Sequence, residues 1–212
     1  MDPTSIRYLA LGDSFTIGTG TTPDKAFPAL LAARWRTAGR TVELLNPAVN
    51  GYTTDDLITR ELPHVPVFKP TLVTLLIGAN DIVRGGSDDK RYRGQLRRIY
   101  TQLRDDGVPG SAVVGLPQPE WSRSPAASPY GTTEALLTRI AHFNAIAMDE
   151  AETAGARFID LYPLMHRQAA AEMLATDGLH PNAEAHEEWA RTLAEKLILV
   201  PPMPAMPVIS VP

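Results

Sequence analysis

The sequence predicts a three-layer α/β/α sandwich around a central, mostly five-stranded parallel sheet. Three observations carry this expectation. Short apolar runs alternate with longer amphipathic stretches, most of those runs are nearly continuous, and helix-entry signals follow them. Continuous apolar runs belong to strands covered on both faces. A strand–helix alternation repeated this often calls for parallel strands joined by helical crossovers.

The strands are expected at IRYLALG (6–12), VELLNPAV (42–49), LVTLLIG (72–78), SAVVGL (111–116) and RFIDL (157–161). Helices are expected at about 26–38, 54–62, 91–106, 132–154 and 182–198, from their apolar periodicity and start signals. Leu136, Ile140, Phe143 and Ala147 make one stripe in the fourth helix, and Ala185, Trp189, Leu193 and Leu197 make one in the last. PQPEWSRSPAASPYG (117–131) is rich in Pro and Ser and reads as a long loop after the fourth strand.

In open parallel sheets the site lies beyond the carboxyl ends of the strands. Gly12, Asp13 and Ser14 follow the first strand, where Asp13 or Ser14 suits a helix cap. After the second, Asn50-Gly51 precedes TTDDL, which looks like a helix start with Thr53 or Thr54 as cap. Gly78, Asn80 and Asp81 follow the third, either as a turn or as the source of an amide donor aimed into the cleft. ATDGLHPNAEAHEEW closes the set: Gly178 allows a turn that brings Asp177 within reach of His180, and Pro181 suits the first position of the final helix. Together these segments supply a hydroxyl, an imidazole, a carboxylate and donors, the parts needed for acyl transfer.

GDSF with Ser14, NPAVNGYTT with Gly51, GAND with Asn80 and DGLHP with Asp177 and His180 stand in the order of four known sequence blocks. On these blocks the chain resembles the SGNH hydrolase superfamily, also called GDSL esterases and lipases, over residues 6 to about 198. Phe15 departs from the usual leucine. The resemblance implies a flavodoxin-like fold and an esterase that uses no cofactor and no metal. Ser14 is then the nucleophile, His180 the general base and acid, and Asp177 its orienting carboxylate. The Ser14 N–H, the Gly51 N–H and the Asn80 amide form the oxyanion hole. Asp13, Ile82, Trp121 and Tyr130 are expected near the substrate, with Asp13 also serving as turn and cap residue. Arg84 is read either as favouring an anionic substrate or as pairing with Asp81 or Asp88.

The substrate expected is a small or short-chain carboxylic ester. Lysophospholipase or acyl-thioesterase action on longer chains is the alternative, and a binding-only protein on the same fold is a third. A fold with a nucleophile elbow is excluded because G-x-S-x-G is missing: Thr16 stands where its last glycine would be. GTGTT (18–22) lacks the third glycine of a nucleotide loop, and SDDKRYR (87–93) reads as a solvated loop entering a helix. His186 is expected at the surface. His64, His142 and His166 are taken as structural.

With 212 residues, one domain over 1–200 with a Pro-rich tail at 201–212 is expected. A net charge of −4 argues against an extended nucleic-acid surface. The absence of cysteine excludes disulfides and a thiol nucleophile. No basic, apolar leader is visible and no run reaches the roughly 20 apolar residues of a membrane span, so a cytoplasmic monomer or homodimer without membrane insertion is expected.

Overall fold

A computed structural model describes residues 5–84 and 88–197. The expected tail at 201–212 lies outside the described residues. Five parallel strands form one sheet: β1 (Ser5–Gly12), β2 (Thr41–Leu45), β3 (Leu72–Leu76), β4 (Val113–Gly115) and β5 (Arg157–Phe158). Their spatial order is β2-β1-β3-β4-β5. The order reverses between β1 and β3, and a doubly wound sheet places its ligand crevice at that point.

The helices are α1 (Ser14–Ile17), α2 (Phe27–Thr37), α3 (Thr54–Arg60), α4 (Val65–Phe68), α5 (Ala79–Arg84), α6 (Asp89–Asp105), α7 (Thr133–Thr153), α8 (Tyr162–Ala170) and α9 (Ala183–Lys196). Right-handed crossovers put helices that follow leftward and rightward steps on opposite faces of a sheet. Accordingly α2 packs on α9, while α6 packs on both α3 and α7. Phe27, Leu31 and Trp35 of α2 are buried, and Trp35 meets Tyr8 of β1 edge to face at 5.6 Å. On the other side, Tyr92 of α6 stacks on Phe143 of α7 at 4.5 Å.

Several strands end earlier than expected. β2 stops before Pro47, which has no N–H to donate to a ladder. β5 keeps two residues, because Asp160 already accepts the Tyr162 N–H and turns the chain into α8. The last helix starts at Ala183, with Asn182 as cap, because Pro181 pairs with Leu174 in an antiparallel bridge.

His186 is wholly buried, contrary to the surface position expected for it. It shares the α9 face that packs on α2, where it stacks on Phe27 and accepts the Phe27 N–H at 3.3 Å. Burial pushes its imidazole down to about 4, helped by the nearby His180. The charges of residues 88–93 meet partners on neighbouring helices: Arg91 pairs with Asp55, and Arg93 with Asp149 and Glu150. His142 and His166 face Asp89 and Glu120, carboxylates distant in sequence.

Candidate active site

The site is assembled at the β1/β3 switch point. β1 ends at Gly12, and the chain turns sharply into α1. Asp13 caps that helix, its Oδ1 accepting the Phe15 N–H at 3.0 Å. Ser14 is the first residue of α1 and is 5% exposed. No side chain fits at Gly12. A Cβ there would lie 2.2 Å from Thr16 Oγ1 and 2.3 Å from Leu76 O.

The second group stands on the loop before α9. Asp177 Oδ1 accepts the N–H groups of Leu179 (2.9 Å) and His180 (3.0 Å), and its Oδ2 lies 2.7 Å from His180 Nδ1. The carboxylate thus selects the tautomer in which Nδ1 carries the hydrogen and Nε2 is left basic. Burial works against the charged carboxyl, but the bonds from His180 and Leu179 outweigh it and hold Asp177 below the usual carboxylate range. Gly178 makes the turn at φ +65°, and the Ser124 hydroxyl donates to its carbonyl.

The two groups meet through packing. The Phe15 ring lies 5.4 Å from that of His180. Gly20, which showed no role in the sequence, lets the chain after α1 approach the Asp177 loop. A Cβ on it would fall 2.5 Å from Ala175 Cβ.

The residues expected to act as donors stand on two further segments. Gly51, at φ +86°, precedes α3, whose Thr53–Asp56 capping box fixes the helix start. Asn80 sits in the first turn of α5. Its Nδ2 donates to Tyr52 O at 3.0 Å and lies 3.4 Å from Asp13 Oδ2. The second contact is long and weak, so that hydrogen is the one free to be redirected. Arg84 reaches back to the Gly51 loop. Its Nη1 donates to Gly51 O at 3.0 Å and so holds the peptide after the donor loop.

Most of the side chains expected near the substrate lie in the interior. Asp13 is wholly buried, and its oxygens face Phe15 N and Asn80 Nδ2, which leaves no surface to meet a substrate. Burial pushes its carboxyl up to about 7, against the Phe15 hydrogen bond, and the charge of Asp81 adds to the rise. Ile82 and Trp121 belong to the hydrophobic core. Trp121 still borders a small apolar cavity of about 20 Å³, shared with Phe15, Leu179 and Pro181. Tyr130 is exposed and packs edge-on against Trp121. The loop from Pro117 to Ser122 is built into the body: Asn144 of α7 grips Gln118 through both its N–H and its carbonyl.

Among the described residues no group of three or more His, Cys, Asp or Glu side chains is placed to hold a metal ion, and no helix is long and apolar enough to cross a membrane.

A doubly wound sheet with a serine at its switch point, and a carboxylate-bound histidine packed beside it, is the arrangement of an α/β hydrolytic enzyme. Comparison with known proteins narrows the class. The chain belongs to the GDSL-like Lipase/Acylhydrolase family, whose sequence profile matches residues 10–188. It is a carboxylic ester hydrolase. An arylesterase of Vibrio mimicus is 25% identical over 196 residues, covering 92% of this chain and 89% of that protein. The lipase/acylhydrolase from Enterococcus faecalis superposes with a TM-score of 0.70 at 23% identity, over 90% of this chain and 94% of that one. Axe2, an acetylxylan esterase from Geobacillus stearothermophilus, gives 0.70 at 19% identity, over 90% and 93%.

Proposed function

We propose that the enzyme cleaves esters of small or short-chain acyl groups through an acyl-enzyme on Ser14. The observation that carries this is the 2.7 Å Asp177–His180 pair, packed against the segment that bears Ser14. Ser14 Oγ attacks the ester carbonyl carbon and its proton passes to His180 Nε2. The tetrahedral intermediate collapses, the C–O bond to the alcohol breaks, and the alcohol leaves with that proton. Water then repeats the sequence and frees the acid. Asp177 stabilises the imidazolium formed in each half.

The developing oxyanion is received by the N–H groups of Ser14 and Gly51 and by Asn80 Nδ2. Such donors act on charge present only in the transition state. Asn80→Ala is therefore expected to lower kcat by about 10²–10³ with little change in KM, read from initial rates on p-nitrophenyl acetate. A rise in KM at unchanged kcat would make Asn80 a ground-state contact instead.

Phe15, next to the nucleophile, borders a cavity that has room for only about one water. A larger cavity of about 620 Å³ borders the histidine loop at Leu174 and Ala175. Glu120, Arg123 and Thr133 give it polar walls. The names of the relatives agree, one being an arylesterase and another an acetylxylan esterase. A series of p-nitrophenyl esters from acetyl to palmitoyl tests the preference. The expected kcat/KM is highest at the shortest acyl groups. A maximum at long chains would replace this function with lysophospholipase or thioesterase action.

A further inference from the structure

Glu61 follows α3 and starts the 3₁₀ turn Leu62–His64, among the exposed Thr59, Arg60 and His64. Its side chain instead runs inward and is wholly buried. Oε2 accepts the Gly12 N–H at 2.9 Å, two residues before the nucleophile. Oε1 has no hydrogen-bond partner, and neither has the buried Thr16 Oγ1, which faces the same Gly12.

We propose that Glu61 is a positioning residue for the esterase reaction: kept as the neutral acid, its carboxyl grips the Gly12 N–H and fixes the turn that presents Ser14. The assignment rests on the Ser14 chemistry proposed above. The charged groups that face Glu61 are Asp13, from the turn after β1, and Asp56, on α3; both are acidic. Asp81 of α5 adds its charge on the far side of Asp13. Arg60, the chain neighbour, is exposed and leans toward Asp56, and His64 is exposed. A buried carboxylate with one hydrogen bond and no cation is costly, and the neutral acid is much less so. Burial accordingly pushes Glu61 up to about 8, against the Gly12 hydrogen bond, and Asp13 and Asp56 add to the rise. Once ionised, it places negative charge behind the turn where the oxyanion must form, and the transition state is disfavoured.

The test compares wild type, Glu61→Gln and Glu61→Leu. Hydrolysis of p-nitrophenyl acetate is followed from about pH 6 to about pH 10, and urea unfolding from about pH 4.5 to about pH 8.5. Glutamine reproduces the neutral acid, so Glu61→Gln is expected to keep kcat at pH 7 within about threefold. Wild-type kcat should decline above about pH 8, and this decline should be missing in Glu61→Gln. Glu61→Leu should lose more than about tenfold in kcat with KM nearly unchanged.

Between 4.5 and about 8 the folded acid holds a proton that the unfolded chain releases, so wild-type stability falls with rising pH relative to Glu61→Gln. Loss of activity in Glu61→Gln equal to that in Glu61→Leu would overturn the proposal. So would a Glu61→Gln protein that keeps the wild-type alkaline decline and stability slope. If no protein turns over the ester, the esterase chemistry fails, while unfolding still decides whether Glu61 is neutral. If the leucine variant does not fold, the glutamine variant decides alone.

Discussion

Replacing Ser14 with alanine is expected to reduce kcat on p-nitrophenyl acetate by about 10⁴-fold or more, the scale on which serine hydrolases lose activity without their nucleophile. The fold should hardly notice. Asp13 still caps α1 through the Phe15 N–H, and residue 14 keeps its own N–H. Losing one small, nearly buried hydroxyl should change unfolding free energy by less than about 1 kcal/mol. The useful contrast is therefore between activity and stability: near-total loss of one and retention of the other, read by initial rates and urea unfolding on the same preparation. Equal rates in variant and wild type would show that Ser14 is not the nucleophile.

The second large effect is expected at Gly12→Ala, and there both properties fail together. The added methyl would overlap Thr16 Oγ1 and the Leu76 carbonyl. Thr16 belongs to α1 and Leu76 to β3, so relief requires the nucleophile turn to move away from the neighbouring strand. Overpacking of this kind costs about 3 kcal/mol. The move also shifts Gly12 N from Glu61 Oε2 and displaces Ser14 relative to the Asn80 amide. A lowered urea midpoint with kcat down more than about 100-fold is expected. A protein of wild-type stability and activity would show that the turn has slack.

Much of this was legible in the sequence for physical reasons. The strands are covered on both faces, so β1 and β3 had to be continuous apolar runs, and the residues after them were fixed as the place to look. Asp177 and His180 lie in one turn, so their spacing carried their partnership. What the sequence hid depends on contacts between distant segments. Glu61 sits in a polar stretch, and nothing local shows that its carboxyl reaches Gly12. Arg84 has acidic neighbours in sequence, yet it holds the Gly51 carbonyl. Trp121 lies in a Pro- and Ser-rich segment that looks like a surface loop. It is buried because Asn144, far along α7, draws the chain inward. His186 is flanked by glutamates but turns toward Phe27, because α9 packs on α2 with that face.

The central claim is that Ser14 is the covalent nucleophile, and a fluorophosphonate tests it most directly. Such a reagent is attacked as an ester is, but it leaves a stable adduct on the attacking oxygen. Peptide mapping after inactivation should place one adduct on Ser14, with loss of activity proportional to labelling, and no adduct when Ser14 is alanine. A label on another residue, or full ester hydrolysis by the unlabelled Ser14→Ala protein, would contradict the account.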